Sequence, residues 1–209
     1  MDHLALEILW PEVAAFSLAA AALLGSPGPG VAALIAVGRT FALSQALLFF
    51  AAMQIGLAIA AALSALGVSG LLHAVPAVRF TVIALSTVYL LWLAWVIASA
   101  PMEKDAPEGK GRMRLTHRGA FLLGFANPKA YLAFASLFGS FTLLQGQARQ
   151  WDDMVKWLIC VLIMVAVDLV WLGLGRTLRR IRLSSRAGRA FNLAMGATIL
   201  LACAASWVS

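Results

Sequence analysis

Four polar side chains interrupt a chain that is otherwise largely apolar: Gln54, Asn127, Lys129 and Asp168. Each stands inside an apolar run of about bilayer length, where lipid penalises an amide and still more an ammonium or carboxylate. Residues retained at such a cost bind a solute, relay a proton or neutralise one another. Two further stretches break the same runs by backbone chemistry. Gly25-Ser26-Pro27-Gly28-Pro29-Gly30 cannot continue a regular helix, and in Phe121 to Lys129 the proline at 128 removes a backbone donor between Asn127 and Lys129. A broken helix exposes amides and carbonyls that hold a carboxylate or an ammonium at mid-membrane without a full side-chain charge. The candidate binding or gating residues are therefore Ser26, Pro27, Gly28, Pro29, Gln54, Asn127, Pro128, Lys129 and Asp168.

The elements that must carry these residues follow from composition. Of 209 residues, 62% are apolar and 12% charged, against roughly 25% charged in soluble domains. The mean hydropathy is +0.90. Six apolar windows result, Glu12 to Gly38, Leu43 to Leu66, Leu71 to Ala98, Gly119 to Leu143, Met154 to Gly175 and Ala190 to Val208, each near the ~20 residues that span a bilayer. Trp10-Pro11-Glu12 suits the first turn of the opening helix, with its carboxylate at the positive end of the dipole. The expected fold is an all-α integral membrane protein of six transmembrane helices, the first and fourth broken.

The net charge of +7 is explained by topology rather than by a nucleic-acid partner. Alternate connections hold twelve and three Lys or Arg residues, the rich side including Arg39, Lys104 to Arg118 and Arg176 to Arg189, with Arg79, Arg149 and Lys156 opposite. Basic loops stay in the cytoplasm, so both termini are expected on the non-cytoplasmic side. Acidic Asp2 and Glu7 stand where a signal peptide would be positive, so no cleaved leader is expected.

Six spans divide into two threes, and an odd number gives the halves opposite orientation. The expected organisation is a first three-helix repeat over 1–98, a cytoplasmic linker over 99–118 rich in proline, glycine and charge, and a second repeat over 119–209. Paired interruptions in inverted halves point to the binding site of a secondary transporter. From helix rise, Lys129 and Asp168 lie roughly 15 and 12 Å from the cytoplasmic face. They can therefore meet, either as a structural ion pair or as partners that change during transport. Gln54 reads equally as an interhelical packing bond, and the small residues Ala58, Ala61, Ala62 and Ala65 suit a bundle or a homodimer seam.

On these residues the chain resembles the LysE/RhtB-type amino-acid exporter family. The likeness rests on Pro27-Gly28-Pro29, Tyr89 to Trp95, Gly124 with Asn127-Pro128-Lys129, and Asp168-Leu169-Val170-Trp171. It implies a bacterial inner-membrane carrier that exports amino acids or close derivatives, driven by protons, with no cofactor. It also implies substrate or gating roles for Pro27, Pro29, Asn127, Pro128, Lys129 and Asp168. Where members carry an acidic residue after the glycine of the second span, Gly56 is followed here by Leu57, which favours a neutral over a strongly cationic solute.

Other classes fit the residues less well. An enzyme or electron carrier lacks a Ser/His or Cys/His pairing within the spans, because His3, His73 and His117 lie outside them. Cys160 and Cys203 are on other helices than the breaks and read as small apolar packers, with no metal site expected. Export of a non-amino-acid solute is an alternative. So is a non-transporting scaffold, though it would need neither the paired breaks nor charges at matched depth.

Overall fold

The computed structural model describes residues 7–67, 116–180 and 186–190, with single helical positions at 77, 80, 84, 87, 88, 91, 94, 95, 193, 194, 196, 197, 200 and 201. The expectations for the 99–118 linker up to 115, for His73, Tyr89 and Trp92, and for Cys203 lie outside these residues. The described elements run β1 (Glu7–Ile8), α1 (Trp10–Gly25), α2 (Pro29–Thr40), α3 (Leu43–Ala65), α4 (His117–Phe125), α5 (Pro128–Ser140), β2 (Leu144–Gln145), a 3-10 turn (Gly146–Trp151) and α6 (Asp152–Arg180). The architecture is helical, the two short strands forming one antiparallel pair with Glu7 opposite Gln145.

Among the described residues, two helices are long and apolar enough to cross a membrane alone: α3, and the continuous Gly146–Arg179 segment that includes α6. The pairs α1 with α2 and α4 with α5 pass the same criterion together, bent by 65° and 41° at their junctions. Four spans result if each bent pair is one span. The breaks have a common construction, since Pro29 and Pro128 both sit in the first turn of the helix that follows. A missing N–H costs nothing there, because the first four amides of a helix have no internal partner. Each proline thus starts a helix that the residues before it have stopped. At the opening of α1, Pro11 and Glu12 occupy the first turn as the sequence suggests.

The helices pack most extensively as α3 on α4 and α2 on α6. Glycine permits both approaches. A Cβ on Gly56 would strike the carbonyl of Phe121, and one on Gly124 the carbonyl of Met53; Gly38 and Gly175 face Leu172 and Ile35 backbone in the same way. Such small residues let membrane helices close to backbone contact. Around these seams Phe16, Phe49, Met53, Leu34 and Phe134 form a buried core.

A polar clamp joins α5 to α6. Asp152 Oδ1 accepts from the amides of Leu143 and Leu144 at 2.6 and 2.7 Å, while Oδ2 pairs with Lys156 Nζ at 2.6 Å. Lys156 also donates to the Phe138 carbonyl. Counted from sequence with the fourth connection, Lys156 is instead buried in the first turns of α6. Its charge is neutralised one helical turn away, so it needs no loop.

Candidate functional site

The end of α1 is where the broken helix must find partners for its free carbonyls. Ser26 Oγ turns back to donate to the Leu23 carbonyl at 2.8 Å. The indole Nε1 of Trp171, from α6, donates to the Gly25 carbonyl at 3.1 Å. Lys129, in the first turn of α5, donates from Nζ to the Ser26 carbonyl and to that of Pro27 at 3.3 Å. A cation at this position also suits the negative end of the α1 dipole. The two breaks are thereby tied together by one lysine.

Gly28 makes that reach available. Its φ and ψ of −173° and −174° are ordinary extended backbone, and its role is spatial. A Cβ there would meet Lys129 Cδ at 3.0 Å and Nζ at 3.2 Å. Any side chain would push the lysine stem aside.

Across the same cavity, Asp168 accepts from Gln54 Nε2 at 2.6 Å. Both residues are buried, at 6% and 9% exposure, and they link α6 to α3. Gln54 is therefore an interhelical bond, as one sequence reading has it, and its partner is the membrane carboxylate. The cavity, of about 40 Å³, is lined by Gly28, Met53, Asn127, Lys129, Met164 and Asp168 among others. Asn127 Oδ1 and Gln54 Oε1 are buried without a hydrogen-bond partner.

Lys129 and Asp168 share this cavity as their depths suggest, yet neither takes the other as an ion-pair partner. Among the described residues the ion pairs are those of Lys156 with Asp152 and Asp153. The reason is local: α1's terminal carbonyls lie within reach of Lys129, and Gln54 supplies the donor that Asp168 needs. Of the nine candidate residues, Gly28, Pro29, Asn127, Lys129 and Asp168 line the cavity. Ser26 and Pro27 meet it through their carbonyls, Gln54 through Asp168, and Pro128 sets the start of α5.

Sequence reasoning by residue chemistry alone gives no role to Met53, Met164 or Trp171. A signal for two of them exists in spacing, because Met164, Asp168 and Trp171 or Leu172 recur every three to four residues and share one face of α6. Among the described residues no group of His, Cys, Asp and Glu could hold a metal ion.

The arrangement places an ammonium and a carboxylate on the lining of one cavity beside a double helix break. No solved structure matches the chain. A cysteine/O-acetylserine efflux protein of Escherichia coli O157:H7 is 28% identical over 185 residues, covering 86% of this chain and 88% of that protein. Proteins of the same name from Escherichia coli strain K12 and Shigella flexneri are 28% identical over 180 residues at the same coverage. The model of the LysE type translocator matches residues 21–205. Nearly the whole chain, including both helix breaks and Asp168, lies inside that match, and the protein belongs to the LysE type translocator family.

Proposed function

We propose that this translocator exports a small neutral amino acid or a close derivative across the bacterial inner membrane. One observation carries the reading: a cation and a carboxylate, Lys129 and Asp168, line one cavity at the junction of two proline-started helices, each hydrogen-bonded to a different neutral partner. A zwitterion has complementary charges for both. The names of the E. coli and Shigella relatives support cysteine and O-acetylserine as first candidates. The uncharged neighbour of Gly56 supports a neutral solute in the same sense.

The proposed architecture is six spans in two inverted repeats, 1–98 and 119–209, joined by a cytoplasmic segment over 99–118. Both termini face away from the cytoplasm, as the distribution of Lys and Arg favours. Export is coupled to proton entry, with Asp168 as the candidate proton acceptor, because a buried carboxylate with one neutral partner is the residue best suited to change charge. A homodimer would meet on the exposed Leu47, Leu48, Ile55 and Ile59 of α3, because Ala61 of the alanine face is buried within the chain.

The test is growth inhibition by a panel of amino acids and dipeptides in cells with and without the chain, with intracellular and medium amino acids quantified. Selective protection with matching efflux is expected for cysteine, O-acetylserine or a similar solute. Uniform sensitivity across the panel, with the protein present in the membrane, would point to a non-amino-acid solute or a scaffold.

A further inference from the structure

We propose that Lys129 is a carboxylate-reading latch, its ammonium resting on the Ser26 and Pro27 carbonyls in the unloaded carrier and transferring to the carboxylate of an arriving solute. This inference rests on the export reading and adds how the site tells an amino acid from the matching amine. Three observations carry it. The cavity, of about 40 Å³, has room for about three or four water molecules at the ~10–15 Å³ each requires. A solute entering it meets Lys129 on its lining, already resting on internal carbonyls.

Lys129 is the lining group suited to move. Among the described residues no carboxylate forms a salt bridge with it, it is half-buried, and the space beside it exists because residue 28 is glycine. Its present partners are backbone carbonyls of an interrupted helix, neutral acceptors that a carboxylate outcompetes in a charge-assisted bond.

The exchange is balanced in charge and hydrogen bonds. The ammonium leaves two carbonyls and gains the solute carboxylate. The vacated carbonyls, with Asp168 and the unpartnered Asn127 Oδ1, then face the solute's own ammonium. An amine without a carboxylate cannot draw Lys129 away, so it meets a site already filled by an internal cation. Selectivity for the zwitterion follows from self-occupancy rather than from a tailored side-chain pocket.

The experiment uses the purified full chain in proteoliposomes. It measures uptake of labelled L-cysteine under reducing conditions, with competition by unlabelled L-cysteine, its methyl ester and cysteamine. In the wild type the ester and the amine should compete about tenfold or more weakly, the worth of one hydrogen bond to a charged group. In Lys129→Gln that preference should shrink to about unity, and in Lys129→Arg it should persist, since charge and reach are kept.

A role limited to tying the helices together predicts that Lys129→Gln lowers all three equally, and an unchanged preference would overturn the proposal. Should Lys129→Gln fail to accumulate, the wild-type arm decides alone: competition by ester and amine as strong as by cysteine overturns it. If the wild type moves cysteine and other amino acids of the panel not at all, the export reading fails first. Cysteine flux with no preference over the amine leaves export standing and removes the latch.

Discussion

At the scale of single residues, the two intramembrane charges are satisfied differently, and the difference separates their roles. Lys129 is held by backbone carbonyls that any sequence would supply, whereas Asp168 is held by one specific side chain, Gln54. Asp168→Asn keeps the shape and can still bond Gln54, so its cost in stability should stay near the ~0.6 to 1.7 kcal/mol typical of membrane hydrogen bonds. Its loss of a titratable carboxylate should abolish pH-driven export at normal protein level, read as initial rates in inside-out vesicles beside an immunoblot. Undiminished transport would remove Asp168 from the mechanism. Gln54→Leu takes away only the donor, and export should fall by about tenfold without vanishing. The paired charges of Asp152 and Lys156 differ again, being mutually neutralised and buried. Lys156→Met leaves that carboxylate with only its two amide donors and should cost about 3 kcal/mol, the low end for a broken buried pair, seen as a lower melting temperature in detergent.

At the scale of elements, the site depends on seams between helices as much as on the breaks. Gly56 and Gly124 bring α3 against α4, and the cavity is lined by Met53 and Leu57 of α3 together with Gly124 and Asn127. Gly124→Leu drives a side chain into the Met53 carbonyl and should cost about 3 kcal/mol, the upper end of overpacking. Gly173→Ala is the matched control, because its Cβ meets nothing within 4 Å. Thermal unfolding followed by tryptophan fluorescence should separate the two, and equal stability would show that the glycine seam is loose.

These seams mark where the sequence stops being legible. The breaks are readable because proline and glycine have local rules, so Pro29 and Pro128 announce a helix start whatever surrounds them. That Lys129 points to α1 rather than to Asp168 depends on the rotation of α5 against α1, a packing outcome. The glycines at 38, 56, 124 and 175 are visible in the sequence, yet their pairing across helices is not. Lys156 misleads for the same reason: its partner Asp152 is one turn away, but its burial is set by the fold of the α5 to α6 connection.

At the scale of the whole molecule, the described helices supply two uninterrupted spans and two bent pairs. The proposed completion to six spans in inverted halves predicts that residues near both ends are reached from outside. Single cysteines at Asp2 and Ser209, in a chain whose own cysteines are replaced, should react with an impermeant maleimide in intact spheroplasts. Labelling of one end only after the cytoplasmic face is exposed would require an odd span count, and of both ends an inverted topology. In that proposed arrangement the α1 and α2 pair corresponds to the α4 and α5 pair, as two similar gates around one cavity. Rocking of the halves would then open the cavity to either side.

The most direct test of amino-acid export is counterflow in proteoliposomes containing only the purified chain, preloaded with unlabelled L-cysteine or O-acetyl-L-serine and diluted into the labelled solute. Transient accumulation of label is expected in the wild type, lost in Asp168→Asn and dependent on the preloaded solute. Accumulation indistinguishable from protein-free liposomes, with the chain folded and either solute inside, would contradict amino-acid transport for these substrates at its root.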